Sequence, residues 1–222
     1  MIHHEWLTIV DEHYPVILDC SVDADGEFLI PEGVIGIAPY AFKDCTLLKD
    51  IILPESLLYI HQDAFVGCQI EMFFNYDGVR YVGTASNPYK FLIGPISPFE
   101  ITRCRIHEDC EVICEGAFEN CSNLTQVIFN HHLSIIDISA FSGTGLTEID
   151  LPDGLDEVAP FCFQSCQYLR RIKIPESVQT IGYAAFEDCV NLTTVDTINS
   201  IAVIYDNAFH GCPKLDMSRI LK

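Results

Sequence analysis

The chain has 222 residues, 49% of them hydrophobic, with a mean hydropathy of +0.24; this excludes a disordered polymer and leaves room for one folded domain or two small ones. Twelve Lys and Arg stand against 32 Asp and Glu, a formal charge of −20, so a polyphosphate backbone is repelled and nucleic acid is not expected as a partner. No run of about 18 apolar residues occurs, so no membrane insertion is expected either.

Residues 1–24 are predicted to form an N-terminal cap. Glu5, Asp11 and Glu12 lie where a secretory signal needs apolar residues, so the chain as written reads as cytoplasmic, or as a protein whose signal was removed. Residues 25–68 carry two copies of Ala-Phe-x-x-Cys, with Phe42 and Cys45 in the first and Phe65 and Cys68 in the second. Ahead of Phe65 stand Leu48, Ile51, Leu53, Pro54, Leu57 and Ile60. The I-x-I segment alternates with a period of two, as a short strand with one inward face does, and the Pro after it ends the strand by removing a backbone donor.

Residues 69–98 interrupt the pattern. Phe73, Phe74, Tyr76, Tyr81, Tyr89 and Phe91 are too many aromatics for a floppy loop, and Asp77-Gly78 between two such runs predicts a hairpin lying on the flank of the molecule. Residues 99–215 resume it, with Phe118 and Cys121, Phe141 followed by Thr144, Phe163 with Cys162 and Cys166, Phe186 and Cys189, and Phe209 and Cys212. Residues 216–222 are read as a C-terminal tail or cap.

The seven Phe recur at intervals of 23, 53, 23, 22, 23 and 23 residues, a period of 23 with one insertion of 30. One coil offers about eight apolar side chains at ~1.5–3 kcal/mol each, yet ordering its backbone costs ~1–2 kcal/mol per residue. A single coil is therefore unstable and the coils must stack, which predicts a repeat solenoid of about seven 23-residue coils built from short parallel strands, turns and 3-10 corners.

With L-x-x-I-x-I-P, V-x-x-I and A-F-x-x-C in register, the chain resembles the BspA-type, or Treponema pallidum-type, leucine-rich repeat family over roughly residues 25–215. The interruption at 75–94 is similar to a Y-L-G-N-x-x-N-P-Y-x-x-L segment common in that family: Tyr81, Gly83, Asn87, Pro88, Tyr89 and Leu92 match, and Thr84 departs from it. The resemblance implies a curved right-handed solenoid that binds proteins or surfaces. It implies no reaction and no cofactor, and it allows a secreted or cell-surface location.

The Phe-x-x-Cys thiols form a row rather than a tetrahedron, which favours structural burial over metal binding. Cys104, His107, Cys110, Cys114 and Cys121 make the densest cluster and a zinc site is the competing reading. Register argues against it, because Cys104 and Cys110 fill slots that hold aliphatic residues elsewhere and His107 fills the Pro slot; Cys114, one step past the inward Ile113, is expected to be exposed. The pairs His3-His4 and His131-His132 form no shared site if they lie on strands, where neighbours face opposite ways. The chain contains no G-x-S-x-G, P-loop, G-x-G-x-x-G or H-E-x-x-H motif, so an enzyme is not expected.

Outward strand positions remain as the recognition surface. Arg103, Arg105, Gln126, Glu148, Asp150, Arg170, Arg171 and Lys173 fall on one concave face by register, and five of the twelve bases are among them. Recognition of a protein or glycan is one reading; cross-strand charge pairing on a solvated face is the plainer one. The expected function is a non-catalytic interaction module, with a purely structural spacer as the alternative.

Overall fold

The structure, a computed structural model, describes residues 2–4, 7–10, 15–68, 73–196, 199 and 202–220. Parts of the predicted N-terminal cap, residues 69–72 of the predicted insertion and residues 221–222 of the tail lie outside the described residues. The first strands are β1 (Ile2–His4), β2 (Leu7–Val10), β3 (Val16–Cys20), β4 (Gly26–Leu29), β5 (Gly36–Ile37), β6 (Leu48–Ile52) and β7 (Tyr59–Ile60). The interruption holds β8 (Phe74–Tyr76), β9 (Val79–Val82) and β10 (Phe91–Pro95). The rest of the chain alternates longer and shorter strands: β11 (Arg103–Arg105), β12 (Val112–Ile113), β13 (Gln126–Ile128), β14 (Ile135–Ile136), β15 (Glu148–Asp150), β16 (Glu157–Val158), β17 (Arg171–Lys173), β18 (Thr180–Ile181), β19 (Thr194–Asp196) and β20 (Val203–Ile204).

These strands make a solenoid of about eight turns with almost no helix. The longer strands line one side and the shorter a second, and both ladders are interrupted at the same coil, between β13 and β15 and between β14 and β16. Ile149 lies opposite Ile172, and Ile172 opposite Val195; Ile113 lies opposite Ile136, and Ile181 opposite Ile204. All these pairings are parallel, as a coil that advances one rung per turn requires.

Between the ladders runs a spine of rings. Phe118, Phe141, Phe163, Phe186 and Phe209 stack at centroid spacings of 5.1–5.5 Å with planes within 8° of parallel. The corner that presents each ring is built by the residues around it. The Phe118 N–H donates to Ala140 O at 2.8 Å and that of Phe163 to Ala185 O at 2.8 Å. The Cys thiol donates back to the Phe carbonyl one coil earlier, at 3.1 Å for Cys166 to Phe141, Cys189 to Phe163 and Cys212 to Phe186. Thr144 fills the same slot with a hydroxyl, which donates to its own coil's Phe141 O at 2.9 Å.

The third corner residue is left-handed, with φ of 58° at Asp44, 59° at Asn120 and 59° at Asp188. One coil later glycine stands in that slot at Gly67 and Gly211. A Cβ there would lie 2.2 Å from the Asp44 or Asp188 carboxylate, so the glycines supply both the backbone angle and room for their neighbours' side chains.

The interruption differs from its expected place on the flank. β8 and β9 form an antiparallel hairpin through Asp77 (φ 47°) and Gly78 (φ 82°). β9 then pairs antiparallel with β10, and β10 pairs parallel with β12. All five residues of β10 are buried. Phe91 and Ile93 pack into a core shared with residues 7–65, whereas Leu92 packs into a second core running on to Cys212. The segment is an internal partition, with a hydrophobic core on each side. Period-two alternation within a strand buried on both faces produces this arrangement.

His107 ties the partition to the coil that follows. Its ring stacks on Tyr89 at 3.7 Å and its backbone N–H donates to the Tyr81 hydroxyl at 3.1 Å. Four sister coils hold Pro in this slot, at Pro31, Pro54, Pro152 and Pro175, and have no such donor to satisfy.

Candidate strand face and its cleft

The outward residues of the longer strands share one surface. Arg103 and Arg105 on β11, Gln126 and Ile128 on β13, Glu148 and Asp150 on β15 and Lys173 on β17 are all exposed, as is Arg170 just before β17. Arg171 is half-buried between two carboxylates. Its Nη1 donates to Asp150 at 2.7 Å and its Nε to Asp196 at 2.6 Å, so one guanidinium spans three adjacent strands. These hydrogen bonds hold its pKa above the usual arginine value. Arg171 thus shows the cross-strand pairing weighed above as the plainer reading. Among the described residues, Arg103, Arg105, Arg170 and Lys173 form no ion pair.

The longer-strand ladder is broken in its interior. β11 pairs with β13, and β15 pairs with β17 and β19, but β13 and β15 are not hydrogen-bonded to each other. A cleft of about 490 Å³ opens there, lined among others by Gln126, Phe129, Glu148, Asp153 and Lys173. A second cleft of about 630 Å³ shares Phe129, Asn130 and His131 with it and reaches Tyr76 on the hairpin. His131 and His132 lie in a bend rather than on a strand and both line this second cleft, so the expectation that they face apart does not hold. The side chains of His3 and His4 lie outside the described residues.

The cysteine-rich cluster does not converge. Among the described residues no three His, Cys, Asp or Glu side chains are placed to hold a metal ion. Cys104, Cys110 and Cys121 pack into the C-terminal core, while Cys114 packs into the N-terminal core on the other face of β12. Burial pushes the Cys104 and Cys110 thiols up to about 12 and that of Cys114 well above its ordinary value, suppressing the thiolates that zinc needs. Cys114 is fully buried rather than exposed, because β12 has a core on both sides.

A separate acidic pair lies near the shorter strands. The Glu115 carboxylate is 4.0 Å from His61 Nε2 across the partition. Burial raises the pKa of both Glu115 and Asp137, and His61 pulls the other way.

Phe129 was not among the residues singled out from the sequence, and Tyr76 was read only as part of the hairpin. The signal existed: Phe129 occupies a slot that holds Ile106, Leu151 and Ile174 in sister coils, within an array that contains one interval of 22 residues rather than 23.

The two ladders, the ring spine and the 23-residue period together define a leucine-rich repeat solenoid. The BspA type leucine rich repeat region matches residues 25–87 and 97–216 in six copies, and the chain belongs to that family. Comparison with curated proteins gives no match. In structure the chain is similar to a leucine rich cell surface protein from Faecalibacterium prausnitzii, with a TM-score of 0.63, 25% identity, and coverage of 86% of this chain and 58% of that one. It is similar in fold to the T. pallidum leucine rich repeat protein, with a TM-score of 0.52, 21% identity, and coverage of 99% and 95%. A leucine-rich repeat protein from Eubacterium ventriosum gives 0.53 and 17%, with coverage of 86% and 59%. The chain therefore spans less than two thirds of the Faecalibacterium and Eubacterium proteins.

Proposed function

We propose that the chain is a non-catalytic recognition module whose longer-strand face, from β11 to β19, binds an acidic protein surface. One observation carries this reading: the face holds five bases against the carboxylates of Glu148, Asp150 and Asp196, a surplus of two positive charges on a chain of −20. Arg171 is engaged within the face, which leaves Arg103, Arg105, Arg170 and Lys173 to meet a partner. Such a patch steers an oppositely charged surface toward it and sets the register of docking. Family membership supports the general role, since repeats of this class generally mediate interactions.

An array of acidic peptides, probed at low and high salt, tests the reading. The triple variant Arg103→Glu, Arg170→Glu, Lys173→Glu is expected to lose the salt-sensitive binding, while Lys214→Glu, outside the face, keeps it. Unchanged binding by the triple variant would overturn the charged-face reading, and no binding by the unaltered chain would favour the structural spacer. The Faecalibacterium protein's description as a cell surface protein supports presentation at a cell surface, which labelling of intact producing cells with an impermeant biotin reagent tests.

A further inference from the structure

The break between β13 and β15 coincides with one between β14 and β16 in the shorter-strand ladder, at the single 22-residue interval of the array. Interior strands of a stack seal their inward side chains, as Ile149 at 4% and Ile172 at 0% exposure do. On β13 and just after it, Val127 and Phe129 are only half-buried although strands lie on both sides. The ring of Phe129 stands edge-on to Phe141 at 6.1 Å and 87° instead of joining the spine. An aromatic ring therefore occupies an aliphatic slot beside the break.

The separation leaves main-chain groups open. The counterparts of the Phe129 N–H donate across the ladder, from Ile106 to Ile128 O at 2.9 Å, Leu151 to Lys173 O at 3.0 Å and Ile174 to Asp196 O at 3.0 Å, but Phe129 has no such backbone partner among the described residues. The same is true of Thr147, whose counterparts Thr125 and Arg170 donate to Thr102 O at 2.9 Å and Thr147 O at 2.8 Å. A peptide strand does not fit between the two edges. Cα atoms of β13 and β15 still approach within 8 Å, whereas an inserted strand needs about 9.6 Å, twice the interstrand spacing.

The lining selects another ligand. Phe129 lines the cleft together with both donors and acceptors: Gln126, Lys173, Arg171, Glu148, Asp150 and Asp153. The charges largely cancel within the cleft, so a densely charged ligand gains little there. A ring with an apolar C–H face and a rim of hydroxyls, each both donor and acceptor, satisfies all of these groups. On the view that this face is a recognition surface, we infer that the β13–β15 cleft binds a neutral glycan, with one pyranose on Phe129 and the next directed along the shared groove to Tyr76.

The test is amide NMR of the 222-residue chain with cellotetraose, chitotetraose, maltotetraose and mannotetraose, with a polygalacturonate oligomer as the charged arm. At least one neutral sugar is expected to shift the Ile128, Phe129 and Thr147 amides saturably and equally at low and high salt. Phe129→Ile restores the residue type of the sister coils and keeps the fold, and should weaken binding at least tenfold, about 1.4 kcal/mol; Tyr76→Ala, on the exposed hairpin, should weaken it without touching Phe129. No saturable shift from any neutral sugar at millimolar concentration overturns the inference. So does undiminished binding by Phe129→Ile, or binding confined to polygalacturonate and abolished by salt. Phe129→Ile leaves Arg103 and Arg170 in place and so retains acidic-peptide binding, which separates failure of the sugar site from failure of the charged face.

Discussion

The two sides of the partition use the same repeat with different regularity. On the C-terminal side, five rings stack without interruption from Phe118 to Phe209. On the N-terminal side Phe42 and Phe65 are stacked with planes 23° apart, and Phe65 then meets Phe73 edge-on at 72°. The outward faces differ as well. Leu29 and Ile52, partners across β4 and β6, are 66% and 43% exposed, whereas β11, β15, β17 and β19 carry charged residues and β13 carries Gln126 and Ile128. A repeat is regular only as far as its neighbours are: the partition ends the spine, supplies its own aromatics, and lets the two segments diverge at the surface while joined through β10 and β12.

The largest expected effect lies in the regular segment. Phe163 is fully buried with a ring stacked on each side, so Phe163→Ala should cost about 3–5 kcal/mol. Phe42 is equally buried but has one stacked partner, and Phe42→Ala should cost less by about 0.5–1.5 kcal/mol, the worth of one aromatic pair. Urea midpoints measure both, and equal losses would show that ring stacking adds nothing beyond burial.

A smaller effect is expected where the partition meets the array. Tyr81→Phe keeps the ring but orphans the His107 N–H, at a cost of about 1–3 kcal/mol. Hydrogen exchange should report this directly, with faster exchange of the His107 amide and an unchanged Phe163 amide. Similar acceleration along the whole array would mean that the two segments unfold together.

The smallest effect is electrostatic. Because the folded chain raises the pKa of Asp137 and Glu115, their contribution to stability is fully present below the ordinary carboxylate range and is lost as pH rises through the raised values. Asp137→Asn should therefore raise the melting temperature at pH 7 and flatten its rise as the solution is acidified. A wild-type melting temperature that falls steadily from neutral pH into the carboxylate range would contradict that sign.

Much of this architecture was legible along the chain, because every coil places the same slots in the same environment. Seven registered copies overdetermine which positions face inward, so the 23-residue period, the solenoid and the family followed from the residue pattern alone. The partition was legible only in part: Asp77-Gly78 marked its turn, while burial on both faces of β10 and β12 depends on a second core that no local pattern reveals. Cys114 went astray for that reason.

The strand face divides in the same way. Register identifies the residues that point outward, because side chains alternate along a strand whatever lies beyond it. It does not say that Arg171 reaches two carboxylates at once, or that β13 and β15 part, as β14 and β16 do at the same coil. Those outcomes depend on how long side chains and neighbouring coils settle against one another, which is decided only when the stack closes.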